Sequence, residues 1–173
     1  MIKNKPSQGT RKTETLTLRL DPKIKYTIEL IARIKRQSIT SVIEAAIESV
    51  SFDLDTPVVM EGKREIWSLA NAVSEFWSTD QVARFINLCA FMPELLTYEE
   101  QRIWETIKAT PKFWDENIES YLAPYHIKGM GYIDKFKVGA FFESLTNFVE
   151  ENKDSRTVIP FDFVRRIDGM KLE

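Results

Sequence analysis

The sequence has few of the residues that bind metals or act as nucleophiles. It contains one cysteine, Cys89, and one histidine, His126, among 173 residues. A single cysteine excludes an intrachain disulfide and a cysteine metal cluster, and a single histidine disfavours a histidine metal site. Cys89 shares a predicted helix face with Val82, Phe85 and Ile86, which favours a buried cysteine over a Cys89–His126 nucleophile pair. We therefore expect no enzyme, no metal and no cofactor.

The sequence also has no apolar run long enough to span a membrane. Residues 1–12 are basic and polar, without the apolar centre of a signal peptide. We therefore expect a cytoplasmic protein with no membrane partner. The chain is 43% hydrophobic and 12% aromatic, which is enough to build a substantial core.

The net charge of −2 is unevenly distributed along the chain. Residues 1–50 hold ten Lys and Arg against five Asp and Glu, whereas residues 51–173 hold fourteen against twenty-one. This asymmetry indicates that only the first part meets a polyanion. Residues 1–13 are predicted to be a flexible basic arm, which either stays solvated or contacts phosphates. Its basic residues are Lys3, Lys5, Arg11 and Lys12.

Apolar and polar residues alternate strictly from Thr15 to Leu20. On a strand, the three leucines of this stretch face one side, and Thr15, Thr17 and Arg19 face the other. One strand is not stable alone, and two helical patterns follow it directly. The simplest partner is a second copy of the chain, which would form a two-stranded antiparallel ribbon. The alternative is an ordinary edge strand of a mixed sheet.

Two amphipathic helices are predicted after this strand. Asp21 is a good N-cap and Pro22 suits the first helical position, so the first helix should run to about Lys35. The second should begin after a cap at Ser38 or Thr40. Its apolar face is too extensive for a lone surface helix, which again indicates a partner chain. That face comprises Ile39, Val42, Ile43, Ala46, Ile47 and Val50.

The order of these motifs, with Thr15–Pro22 followed by a helix and then Ser38–Ile47, resembles the ribbon-helix-helix family of Arc and MetJ repressors. The resemblance covers residues 14–50. It implies a homodimer whose ribbon enters the major groove of double-stranded DNA. The family's base-reading positions fall on Thr15, Thr17 and Arg19, and its phosphate-binding positions fall on Ser38, Ile39 and Thr40. Many members have Gly in the turn between the helices, where this chain has Arg36.

The resemblance implies a sequence-specific transcriptional regulator, most simply a repressor, which forms homodimers and could form higher oligomers on DNA. One alternative is an antitoxin that represses its own operon. Another is a DNA-binding accessory protein of plasmid partition or conjugative transfer. An enzyme domain fused to a DNA reader is disfavoured by the scarcity of His and Cys.

The rest of the chain is expected to be helical. Residues 14–51 form the predicted ribbon-helix-helix domain, residues 52–62 a linker with Pro57 and Gly62, and residues 63–173 an all-helical C-terminal domain. The chain is therefore predicted to be mainly α. Oligomerisation and the binding of a protein or small-molecule effector are open roles for the second domain. Its helices are predicted over 64–77, from Thr79 to Pro93, from a capping box at Thr97, from Thr110, and over 134–151, with a strand or docked tail at 157–163.

Overall fold

The computed structural model describes residues 17–115, 126–127 and 131–163. The chain divides into two compact units, residues 1–47 and residues 48–173. The described residues are mainly helical, with six α-helices and two small antiparallel sheets. No helix among them combines the length and the apolar character that crossing a membrane requires.

The first unit contains the two helices predicted from the sequence. Helix α1 spans Pro22–Lys35, and the Asp21 side chain caps it by accepting a 2.8 Å hydrogen bond from the Lys23 N–H. Helix α1 ends at Arg36, whose φ of 51° and ψ of 44° are left-handed. Glycine adopts this conformation most easily at a helix end. In this chain Arg36 adopts it instead. Helix α2 spans Ile39–Asp53 and crosses the boundary between the units.

The predicted strand before α1 is only partly within the described residues. Residues 17–20 have no regular secondary structure, and all four are exposed. Strands are defined by hydrogen bonds to a neighbouring strand, and no described strand of the same chain pairs with these residues. Thr15 and Leu16 lie outside the described residues, so the ribbon stays a prediction.

The second unit opens with a β-hairpin, where a linker and a helix were predicted. Strand β1 spans Asp55–Met60 and strand β2 spans Lys63–Ser68, paired antiparallel. The turn residues Glu61 and Gly62 have φ of 51° and 75°, as a two-residue type I′ turn requires. The predictions of a linker over 52–62, of a helix beginning at residue 64, and of an all-helical C-terminal domain are therefore wrong.

Four further α-helices follow the hairpin within the described part. The capping box predicted at Thr97 is confirmed, with Thr97 accepting from the Glu100 N–H and Glu100 accepting from the Thr97 N–H. The cap of the preceding helix is Asp80 rather than the predicted Thr79. The helices are α3 (Leu69–Phe76), α4 (Gln81–Phe91), α5 (Tyr98–Ala109) and α6 (Lys135–Glu151), with 3-10 turns at Pro93–Leu95 and Pro111–Phe113.

A small antiparallel sheet replaces the helix predicted from Thr110. Its strands are β3 (Trp114–Asp115), β4 (His126–Ile127) and β5 (Gly131–Ile133), in the order β3-β5-β4. The predicted helix is wrong at its start, because the chain makes a 3-10 turn and then enters β3. The rest of that predicted helix falls within residues 116–125, which lie outside the described residues.

Two apolar clusters form the core of the second unit. The smaller one packs Val58 of the hairpin against Ala72, Phe76 and Met92. The larger one is built on α4, α5 and α6. Its buried members are Phe85, Ile86, Cys89, Ile103, Trp104, Ile107, Phe113, Ile133, Val138, Leu145, Val149, Phe161 and Phe163.

The segment after α6 docks onto this larger cluster. The Phe161 N–H donates a 2.8 Å hydrogen bond to Thr110 Oγ1, and the Phe161 ring centroid lies 5.9 Å from that of Phe113. The Phe163 ring centroid lies 5.0 Å from that of Phe113, with the two rings tilted. Of the two predictions for residues 157–163, the docked tail is confirmed rather than the strand.

Three of the four tryptophans pack in these clusters, Trp67 in the smaller one and Trp104 and Trp114 in the larger one. Trp67 stacks on Phe76 with ring centroids 5.8 Å apart. Trp104 lies 6.0 Å from Trp114, whose Nε1–H donates a 2.9 Å hydrogen bond to the Ile107 carbonyl. Trp77, at the end of α3, is 59% exposed.

Candidate nucleic-acid interface

The described residues predicted to contact DNA lie at two places in the first unit. Thr17 and Arg19 are exposed in the stretch that precedes α1. Ser38, Ile39 and Thr40 are exposed at the start of α2. The other predicted contact residues are outside the described part of the chain, namely Thr15, Lys3, Lys5, Arg11 and Lys12.

The start of α2 has the geometry of an anion-binding helix end. Ser38 is the cap, because its Oγ accepts a 3.0 Å hydrogen bond from the Ser41 N–H and its carbonyl accepts a 3.1 Å bond from the Val42 N–H. The next two N–H groups, of Ile39 and Thr40, have no partner among the described residues. Free N–H groups and the helix dipole favour a negative group at this position.

The basic side chains described in the first unit are exposed and form no ion pair within the described residues. None of the four ion pairs in the described part of the chain involves a residue of the first unit. The charges on its exposed basic side chains are therefore available to a polyanion. These exposed side chains are Arg19, Lys23, Lys25, Arg33, Lys35 and Arg36.

The first unit does not bury its own apolar residues. Ala32 is the only buried residue of α1, and Val42 is the only buried residue of α2. Large side chains stay between about two fifths and four fifths exposed: Leu18 51%, Leu20 43%, Ile24 51%, Ile34 82%, Ile39 47% and Ile47 62%. Soluble monomers rarely expose so many apolar side chains together, so this surface is a candidate interface.

The other groups considered from the sequence, the Cys89 thiol, His126 and possible metal ligands, do not form a catalytic or metal site within the described residues. Burial raises the pKa of the Cys89 thiol, and the side chain is 3% exposed, so it is a poor nucleophile. The His126 side chain lies outside what the structure describes. The described residues contain no cluster of three or more His, Cys, Asp and Glu that could hold a metal.

One feature of the second unit was missed by sequence reasoning. Arg102 and Arg156 line the same cleft, although they are far apart in sequence and belong to no local motif. Only the fold brings them together.

Comparisons with protein-family models, with curated proteins and with solved structures found no match to this chain. Three features of the residues themselves define the candidate interface: an exposed apolar face, a free helix end and basic side chains without ion-pair partners among the described residues.

Proposed function

We propose that this chain is a sequence-specific transcriptional regulator, most simply a repressor, that binds double-stranded DNA as a homodimer in the cytoplasm. The observation that carries the proposal is the exposed apolar surface of the first unit beside its uncompensated positive charge. The apolar part requires a covering partner, and the basic part attracts a polyanion.

A second copy of the chain satisfies the first requirement. Pairing residues 15–20 of two copies antiparallel would supply the backbone partner that residues 17–20 lack within the described chain. Leu18 and Leu20 would then be covered from one side. Thr17 and Arg19 would lie on the opposite face, once in each copy, because side chains alternate along a strand.

The outer face of such a ribbon suits the DNA major groove. A two-stranded ribbon fits the groove, and an arginine there can make a bidentate contact to guanine. The free N–H groups of Ile39 and Thr40 would hold a backbone phosphate and so fix the position of the ribbon. The basic arm would add affinity for any sequence.

The folded state of the second unit disfavours the antitoxin alternative. Toxin-binding segments of such antitoxins tend to be short and disordered until they bind. Here the described residues after 54 have two buried apolar clusters of their own. A role in plasmid partition or transfer would use the same DNA contacts, so the genomic position of the bound sites distinguishes it from repression.

The test begins by selecting a preferred duplex from random DNA with the full-length protein. Affinities for the selected and a scrambled duplex are then measured at two salt concentrations for wild type and Arg19→Ala. A bidentate arginine–guanine contact contributes about 1–3 kcal/mol of discrimination, so Arg19→Ala should weaken specific binding roughly 10- to 100-fold. Binding to the scrambled duplex should barely change.

Two further variants complete the design. Arg84→Ala removes an exposed arginine of the second unit and should leave both affinities unchanged. Deleting residues 2–12 should weaken binding to both duplexes alike and flatten the salt dependence. Selection that recovers no preferred sequence would refute the proposal. An equal loss for both duplexes in Arg19→Ala would mean that Arg19 holds phosphate rather than reading bases.

A further inference from the structure

A cleft of about 240 Å³ lies along α5 and the segment after α6. We call it the α5 cleft. Its lining includes three charged residues, Arg102, Arg156 and Glu105, and three apolar residues, Val149, Val158 and Ile159. All six belong to the second unit and to the residues that the structure describes.

Arg102 is held in place at this cleft. One of its terminal amino groups donates a 2.8 Å hydrogen bond to the Asn152 carbonyl, and its guanidinium carbon lies 5.9 Å from the centre of the Tyr98 ring. The bond to Asn152 fixes the side chain between α5 and the end of α6. Because a guanidinium has five N–H donors, most of its donors remain for a ligand.

Neither arginine forms an ion pair with a carboxylate within the described residues, although the pKa of Glu150 is lowered by Lys153 and, more weakly, by the charge of Arg102. The nearby acids have their own partners: Glu105 pairs with Lys108 at 2.6 Å and Glu150 pairs with Lys153 at 2.8 Å. The hydrogen bond from Lys153 lowers the pKa of Glu150, as expected for a carboxylate that is already paired. Arg156 is exposed and forms no hydrogen bond or ion pair in the described part of the chain.

Arg102 and Arg156 are two of the six basic residues in the described part of the second unit that form no ion pair. Both line the α5 cleft, and guanidinium groups provide planar donors suited to carboxylate or phosphate. Ligand sites commonly combine a few such polar groups with apolar walls.

We infer that the α5 cleft binds a small organic anion. Its carboxylate or phosphate lies between Arg102 and Arg156, and its apolar part packs on Val149, Val158 and Ile159. The cleft is smaller than the roughly 300–1,000 Å³ of drug-sized ligand pockets, which limits the ligand to a small molecule. This inference concerns a second site and does not depend on DNA binding by the first unit.

The test is isothermal titration calorimetry of the full-length protein with three probes of similar apolar size: phenyl phosphate, benzoate and uncharged benzyl alcohol. We expect saturable binding of at least one anion and none of the alcohol. If phenyl phosphate binds more tightly than benzoate, the cleft prefers phosphate, and the reverse order indicates a preference for carboxylate. Arg156→Gln should weaken that binding about tenfold or more, because a hydrogen bond to a charged group contributes about 1.5–3 kcal/mol.

Two matched variants separate recognition from general effects. Lys63→Gln removes one exposed positive charge elsewhere in the second unit and should leave the affinity unchanged. Arg102→Lys keeps the charge but loses the planar fork, and should weaken binding while thermal unfolding confirms that the protein remains folded. The inference is overturned if neither anion binds saturably, if benzyl alcohol binds equally well, or if Lys63→Gln weakens binding as much as Arg156→Gln.

Discussion

Leu18 offers a quantitative test of whether the first unit requires a second copy. Its side chain is 51% exposed in the single chain. Fully burying a leucine contributes about 1.5–3 kcal/mol, so covering the exposed half contributes about 1 kcal/mol per copy. Both copies change in a dimer, and Leu18→Ala should therefore cost about 2 kcal/mol, or roughly a 30-fold higher dissociation constant. Leu18→Lys should abolish the dimer, because it would bury an unpaired charge.

The assay is sedimentation equilibrium of the full-length protein over a range of concentrations. Leu95→Ala is the matched control, because Leu95 is 45% exposed and lies in the second unit. It should leave the dissociation constant unchanged. A wild-type protein that stays monomeric at micromolar concentrations would refute the reasoning, and so would equal effects of the two alanine variants.

Three further predictions concern the second unit. Cys89 is 3% exposed and burial raises its pKa, so a thiol reagent at neutral pH should modify it only in denaturant; rapid modification of the native protein would contradict this packing. Thr97→Ala removes the capping box and should lower the free energy of unfolding by about 1 kcal/mol in urea titrations; an unchanged midpoint would show that the cap contributes nothing. The hydrogen bond from Arg64 lowers the pKa of Glu94, so the pair's small stabilisation is present above the ordinary carboxyl pKa and is lost as the pH falls through the lowered value. Glu94→Gln should therefore reduce thermal stability slightly at neutral pH and not at strongly acidic pH, and a larger loss in acid would contradict this sign.

The helices and several of their ends could be predicted because the signals are local. Asp21 and Pro22 start α1, and Thr97 with Glu100 starts α5, through bonds that span three residues or fewer. Such contacts depend on the neighbouring sequence alone. The same holds for the buried Cys89, whose apolar neighbours lie on one face of α4.

The hairpin could not be predicted in the same way. Its turn uses Glu61 in a left-handed conformation before Gly62, whereas the usual signal is Asn or Asp before Gly. Ile66 and Leu69 are three residues apart, which imitates a helix face although one lies in β2 and the other in α3. The hairpin is stabilised by packing within the second unit, where Val58 of β1 is fully buried with Ala72, Phe76 and Met92. These residues are far from Val58 in sequence, so the local pattern does not show the contact.

The candidate DNA contacts were predicted from two short stretches and a basic arm, and the structure leaves their described members exposed. Base reading requires a second chain and DNA itself, so it depends on contacts that do not form within one chain. The α5 cleft was not predicted because it joins α5 to a segment about fifty residues later, as the Arg102–Asn152 hydrogen bond illustrates.

The uneven placement of aromatic rings gives the two units different optical signals. All four tryptophans lie between residues 67 and 114, whereas Tyr26 is the only aromatic residue among residues 1–47. Tryptophan fluorescence therefore reports on the second unit alone, and far-ultraviolet circular dichroism reports on the helices of both. If the two signals change at the same denaturant concentration, the units unfold as one cooperative system. If the dichroism changes first, and earlier still on dilution, the first unit melts as its dimer dissociates while the tryptophan environment stays intact.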